Sequence, residues 1–215
     1  MTLLNRIKNK LFLELNPRMR THVINKLNRW RLKKHNITLL ANNCNGAMIL
    51  HDLGLPFNSP FVNLWLYPDD FIKYVSNIKY YMSCELVFEQ RGDNYPIGRL
   101  DDIYIYFQHY NSEEEAKEKW EARTSRMDLN HLYVLMTERD GCTKKHMERF
   151  DKLPIKHKAL LTHLPHPEIS CAHYIKGFES EGQCGILSEF VPNQYMGKYH
   201  YDQFNYVEWF NFANK

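Results

Sequence analysis

The sequence predicts an α/β fold: a mainly parallel or mixed sheet with helices on both faces, three layers in all, and a basic helical arm at its N-terminus. Three observations predict it. From residue 36 onward, short apolar runs alternate with segments of helical period, the pattern of strands joined by crossover helices. Runs such as Ile37-Thr38-Leu39-Leu40-Ala41 and Ala159-Leu160-Leu161-Thr162 are apolar on successive residues, as in strands covered on both faces. At 215 residues, 44% of them apolar, the chain is long enough for one core without disulfide or metal staples.

The arm, residues 1–35, carries ten basic side chains against one acid, Glu14, so it is strongly positive and the body from 36 to 215 is net acidic. Leu3, Leu4, Ile7 and Leu11 fall at helical spacing, and Met19, Val23, Leu27 and Trp30 do so again. Asn16 as cap and Pro17 at the first helical position predict a second helix start between them. Such a basic amphipathic pair suits a packed helix with a solvated basic face, an anionic membrane surface, or nucleic acid. The acidic body argues against nucleic acid, since phosphate binding needs a positive surface near the site.

In the body, residues 37–41 read as a strand, and Phe61 to Leu66 as another. Asp69 to Met82 has Phe71, Val75, Ile78 and Met82 at helical spacing. Leu86-Val87-Phe88 is a short strand and Ile103 to Phe107 a longer one. Ser112 followed by Glu115 is a capping box that opens a helix to Met127. His131 to Met136 is a strand, Thr143 to Leu153 a helix, and 159–162 a strand. Residues 164–200 look irregular, and Phe204 to Phe212 closes the chain as an aromatic helix.

Composition excludes several classes. No run of about 18 apolar residues exists to span a bilayer. Five irregularly spaced cysteines do not make a disulfide framework, and with no secretory pattern at the N-terminus a cytoplasmic location is expected. The glycine-rich phosphate cradles, the serine-hydrolase elbow and the zincin helix are all absent. Cys142 and His146 share a helical face, but two ligands make no zinc site, and no metal is expected.

What remains is a set of polar residues at strand ends, where parallel sheets bind ligands. Asn42-Asn43-Cys44-Asn45-Gly46 follows the first strand, His109 the Ile103 strand, Asp140 the His131 strand, and His163 the last. Cys44 sits at a strand-to-helix turn, where free amides lower a thiol pKa and can hold an oxyanion. On this reading Cys44 is the nucleophile or site centre, and Asn42, Asn43 and Gly46 shape the oxyanion site. His109 or His163 then serves as base with Asp140 orienting it. A buried structural cysteine and ordinary histidines are the plainer alternative. Arg123 falls on the apolar stripe of its helix, either lying along the surface or, with Arg126, gripping a phosphate.

Asn42-Asn43-Cys44-Asn45-Gly46, followed by His51 to Pro60, resembles an uncharacterised bacterial family, a domain of unknown function, often labelled exopolysaccharide or capsule biosynthesis proteins. The pattern continues in His109 to Glu114 with Trp120, Arg123 and Arg126, in Asp140 to Thr143, and in Tyr174 to Phe178. The resemblance covers roughly residues 36–212 and implies a three-layer α/β fold and a role near surface polysaccharide assembly. More distantly, Asn43-Cys44 before a helix is similar to capsule acyltransferases that bind coenzyme A and to papain-like proteins, in which a histidine follows the cysteine. His51 could fill that place, although at 1.5 Å per residue it would lie about 10 Å along the helix from Cys44. Together these readings lead to an acyltransferase, with acetyl as the expected group, acting on a sugar or polysaccharide precursor. Coenzyme A is then the expected donor, with Arg123 and Arg126 on its phosphates. A glycosyl- or phosphosugar-transferase in the same pathway, or a non-catalytic scaffold docked at the inner face of the membrane, are the alternatives.

Overall fold

The computed structural model describes residues 3–92 and 94–212, with side chains from Lys10 onward. In chain order its elements are α1 (Leu3–Met19), a π-helical turn (Arg20–Ile24), α2 (Asn25–Arg31), β1 (Thr38–Ala41), α3 (Asn45–Leu53), α4 (Pro68–Ser76) and α5 (Ile78–Ser83). They continue with β2 (Val87–Phe88), β3 (Ile97–Leu100), β4 (Ile103–Tyr106), α6 (Glu113–Thr124), β5 (Leu132–Thr137), α7 (Lys144–Asp151), β6 (Lys158–Thr162), β7 (Ala172–Tyr174) and α8 (Tyr206–Phe212).

The expected α/β architecture is present. A four-stranded sheet in the order β1-β5-β6-β7 is parallel throughout, and β2, β3 and β4 form a separate antiparallel sheet. Strand side chains alternate between faces with period two. Leu39, Ala41, Tyr133, Leu135, Ala159 and Leu161 enter one core with α3 and α8. Leu40, Val134, Met136 and Leu160 enter the other with α4, α6, α7 and the antiparallel sheet. Gly46 brings α3 hard against β1, since a Cβ there would stand 2.6 Å from that of Ala41.

Ser112 caps α6 as its spacing predicts, its hydroxyl accepting from the Glu115 amide at 3.2 Å, while the Glu115 carboxylate accepts from the Asn111 amide. Several expectations fail. The helix from Asp69 to Met82 breaks at Asn77, whose extended φ of −142° separates α4 from α5. Phe61 to Leu66 is not a strand: apart from one bridge between Trp65 and Tyr106, it is an irregular segment with Asn63 in left-handed conformation. It still buries Phe61, Val62, Leu64 and Leu66, and it satisfies the outer edge of β1 through Ser59 Oγ to Leu39 O (2.6 Å) and Leu66 N to Asn42 O (3.0 Å). Apolar content here reports burial rather than a ladder. The strand after Ile103 exists, but it belongs to the antiparallel sheet. The short strands β3 and β7, with Gly98, Arg99 and His173 inside them, are additional.

The arm differs most. The helix does not restart at Asn16: it runs through Pro17 and widens to a π-turn three residues later, the relaxation expected where a proline removes a backbone donor. Its packed face is polar. Asn16, Arg20, Asn25 and Asn28 are buried, whereas Val23, Leu27 and Trp30 face solvent. Asn16 is stitched to the far end of the chain by Nδ2 to Gln194 O and Gly197 N to Oδ1, both 2.8 Å. Arg20 donates to Asp52, Asp202 and Tyr201, with its guanidinium 4.2 Å from the Tyr199 ring centre. Gly197 is obligatory at this junction, because a Cβ would meet the Arg20 amide at 2.3 Å. The side chains of Leu3, Leu4 and Ile7, the other expected stripe, lie outside the described residues. Among the described residues no helix is long and apolar enough to cross a membrane.

Candidate functional site

The carboxyl ends of β1, β5 and β6 lie at one edge of the parallel sheet, and their links decide which residues are structural. Asn42 is fully buried; its Nδ2 donates to Thr137 O (3.1 Å) and its Oδ1 accepts from Thr137 N (2.8 Å), so it clamps β1 to β5. Asn45 adds Nδ2 to Thr137 Oγ1 at 3.2 Å. Asn42 and Gly46 therefore build the turn, and neither belongs to the lining of the cleft that Asn43 enters.

Beyond this edge opens a cleft of about 560 Å³, within the range of small-ligand sites. Cys44, His109 and Asp140 all line it, with Asn43, Trp65, Gln108, Arg139 and the 185–188 segment. Three of the four strand-end residues picked out above thus meet in one place. His109 reaches it by an unexpected route: it follows β4 of the antiparallel sheet, in a loop held by His109 N to Asn63 O at 3.3 Å. Asp140 is swung into place by two successive left-handed residues, Asp140 (φ 55°) and Gly141 (φ 82°), a conformation that aspartate tolerates better than most residues. Its amide donates to Gln183 Oε1 at 3.0 Å, and its carboxylate faces Arg139 Nε at 3.5 Å. Asp140 is thus paired with Arg139, and among the described residues it makes no hydrogen bond to His109.

The other expected residues lie elsewhere. His163 is buried against Glu138, with Nδ1 2.7 Å from Oε2 and its amide donating to the same oxygen at 2.9 Å. This Glu138–His163 pair fastens β5 to β6 and lies outside the cleft lining, so His163 is not placed to serve as base there. His51, with a side chain 72% exposed, stands in the last turn of α3, away from the cleft. Arg123 donates to Tyr110 Oη at 2.6 Å, and Arg126 donates to Phe57 O at 3.1 Å. Both arginines fasten the 57–62 segment, so neither is part of the cleft lining. His146 caps α7 through Thr143 N to Nδ1 (3.0 Å) and meets Asp69 with Nε2 (3.1 Å), so its pairing with Cys142 is incidental.

Cys44 occupies the N-cap position of α3, half-buried, with Sγ 3.8 Å from Leu64 O. The expected lowering of its pKa does not occur: burial pushes the Cys44 thiol up. The Asn45 amide is taken by Asn43 Oδ1 at 3.1 Å, so fewer free amides remain to offset desolvation than an uncapped helix end offers. Those of Gly46 and Ala47 have no protein acceptor among the described residues. The sign follows directly: a raised pKa leaves less thiolate at neutral pH. Iodoacetamide should therefore modify Cys44 more slowly than free cysteine at pH 7.5, with the rate still rising beyond pH 9. Peptide mapping of each cysteine measures this, and fast modification below pH 8 would contradict it.

Sequence reasoning missed Trp65, Tyr95, Gln108 and the 185–188 segment. Trp65 lines the cleft and stacks on Tyr106, ring centres 4.2 Å apart and planes within 14°. The bridge that holds it pairs residues 41 apart in sequence, and no local pattern announces such a pairing.

A model for a domain of unknown function, DUF1919, matches residues 16–211. The chain belongs to the DUF1919 family. A relative of this family member, an uncharacterised protein of Haemophilus influenzae (strain ATCC 51907 / DSM 11121 / KW20 / Rd), is 50% identical over 199 residues, covering 93% of this chain and 95% of its own. The DUF1919 match starts at Asn16, so it takes in the polar packed face of the arm with the α/β body.

Proposed function

We propose that the cleft transfers an acyl group, acetyl being the simplest, to a hydroxyl of a surface saccharide or its precursor. The observation that carries this reading is the shared cleft of Cys44 and His109 at the amino end of α3, beside the Trp65–Tyr106 stack. An aromatic face with amide and carboxylate groups around it suits a sugar ring, apolar on its faces and polar at its rim.

Because the Cys44 thiol is neutral at rest, it needs a base, and His109 is the imidazole in the cleft lining. His109 takes the thiol proton and the sulfur attacks the acyl carbonyl, giving a tetrahedral oxyanion. The donor's leaving group departs with the proton from His109, leaving a thioester on Cys44. The saccharide hydroxyl then attacks that thioester while His109 accepts its proton, and the thiol is restored. A thiol with a high pKa is the stronger nucleophile once ionised, so burial at Cys44 is compatible with this role.

The cleft lining lends no support to coenzyme A as donor. The cleft lining offers one guanidinium, Arg139, already paired with Asp140, and no lysine. A diphosphate calls for several such groups, so no step is routed through that cofactor. The same shortage of cations disfavours phosphosugar transfer.

Mass spectrometry of surface saccharide from a deletion strain tests the reading. The repeat unit should lose one acyl mass, restored by the wild-type chain and not by Cys44→Ala. Unchanged acylation in the deletion strain would overturn it.

A further inference from the structure

The arm carries an exposed surface that the cleft does not use. Val23, Leu27 and Trp30 recur at i, i+4 and i+7 on the side of the helix opposite the buried Asn25 and Asn28, and Trp30 is 82% exposed. Further along the same helix Leu13 is 69% exposed. A helix lying on a globular body normally turns its apolar face inward. Here the inward face is polar and tied to the body: Asn25 Nδ2 donates to Asp52 Oδ1 at 2.9 Å and Asn28 Nδ2 to Tyr206 Oη at 2.8 Å. The fold thus holds the helix so that its apolar stripe points away from the protein. Exposed basic side chains flank that stripe, among them Arg18, Lys26 and Lys33, and from Lys10 to the end of the arm the one acid is Glu14.

We infer that this face docks the protein on an anionic lipid surface, with Val23, Leu27 and Trp30 entering the interface and the basic side chains at the headgroups. Charge selects this occupant. A two-fold contact with a second copy would set the same positive patch against itself. An anionic bilayer offers the opposite charge over a plane and an apolar layer beneath, and tryptophan favours that boundary. The inference is independent of the chemistry proposed for the cleft.

Cosedimentation of the full chain with vesicles tests it, using phosphatidylglycerol–phosphatidylethanolamine against phosphatidylcholine alone. The wild-type chain should bind the anionic vesicles, and the triple variant Val23→Ser, Leu27→Ser, Trp30→Ser should bind about tenfold more weakly. Lys26→Glu with Lys33→Glu should weaken binding too, and salt should weaken the wild type as charges are screened over about 8 Å at physiological strength. None of these side chains enters the buried Arg20 network, and circular dichroism confirms folding of each variant. Should the triple variant still prove unstable, Trp30→Phe supplies a second readout: brominated lipid should quench wild-type fluorescence more than that of the variant. Four outcomes would each overturn the inference: no binding to anionic vesicles, equal binding to neutral ones, equal binding by a folded triple variant, or stripe-dependent self-association of the wild type without vesicles.

Discussion

Arg20→Met should destabilise the fold by about 3–5 kcal/mol, the cost typical of breaking a buried ion pair by removing one partner. Arg20 is 3% exposed and joins α1 and the π-turn to α3 through Asp52 and to the C-terminal region through Asp202. Without the guanidinium, two buried carboxylates lose their counter-charge, and the Tyr201 hydroxyl that also donates to Asp52 cannot replace it. Burial already pushes the Asp202 carboxyl up, so its charge depends on this partner. Removing the whole arm should be worse still, because Asn16, Asn25 and Asn28 leave with Arg20. In urea the expected loss is a midpoint lower by about 2 M, taking a slope of about 2 kcal/mol/M. Trp30→Ser, on the exposed face of the same helix, should shift stability by no more than about 0.5 kcal/mol. A midpoint for Arg20→Met as close to wild type as that of Trp30→Ser would show that the two carboxylates find other partners.

His109→Ala should lower acyl transfer by about 10²–10⁴-fold, the usual contribution of a positioned general base. The other two histidines weighed for this role should behave differently. His51→Ala removes an exposed side chain outside the cleft and should leave transfer near wild type. His163→Ala leaves Glu138 buried without its imidazole partner, so its effect should fall on stability, with transfer per folded molecule retained. Rates of p-nitrophenol release from p-nitrophenyl acetate, normalised to folded protein, separate the three. A rate for His109→Ala equal to that of His51→Ala would remove His109 from the mechanism.

Legibility in the sequence divides along a physical line. β1, β5 and β6 are visible because a strand buried on both faces must be apolar on consecutive residues, and Ser112 marks α6 because a cap is a local interaction. β3 and β7 are short and contain polar residues or glycine, so their pairing rests on tertiary contacts. The arm shows how a periodic pattern can be real and its direction unreadable. Val23, Leu27 and Trp30 do share a face, but Asp52 apart, the partners that bury Asn16, Arg20 and Asn28 stand near the other end of the chain, with separations of 177 to 182 residues. Polar burial of this kind leaves no local trace. At the cleft, the rule that ligands lie beyond strand ends gathers Cys44 and Asp140. It gathers His109 too, although that residue arrives from the second sheet. The rule cannot separate these from His163, because a strand-end histidine that closes a buried pair and one that faces a cleft have the same sequence signature.

Locating the acyl group on the protein decides whether Cys44 carries it with His109 as its base. After exposure of the intact chain to p-nitrophenyl acetate near neutral pH, the Cys44 peptide of the wild type should carry one acetyl mass. The Cys44 peptide of His109→Ala should lack it, while any acetyl on the half-buried Cys84 is unchanged between the two. Acetyl on Cys84 with none on Cys44, or equal acetylation of Cys44 in both proteins, would remove Cys44 and His109 from these roles.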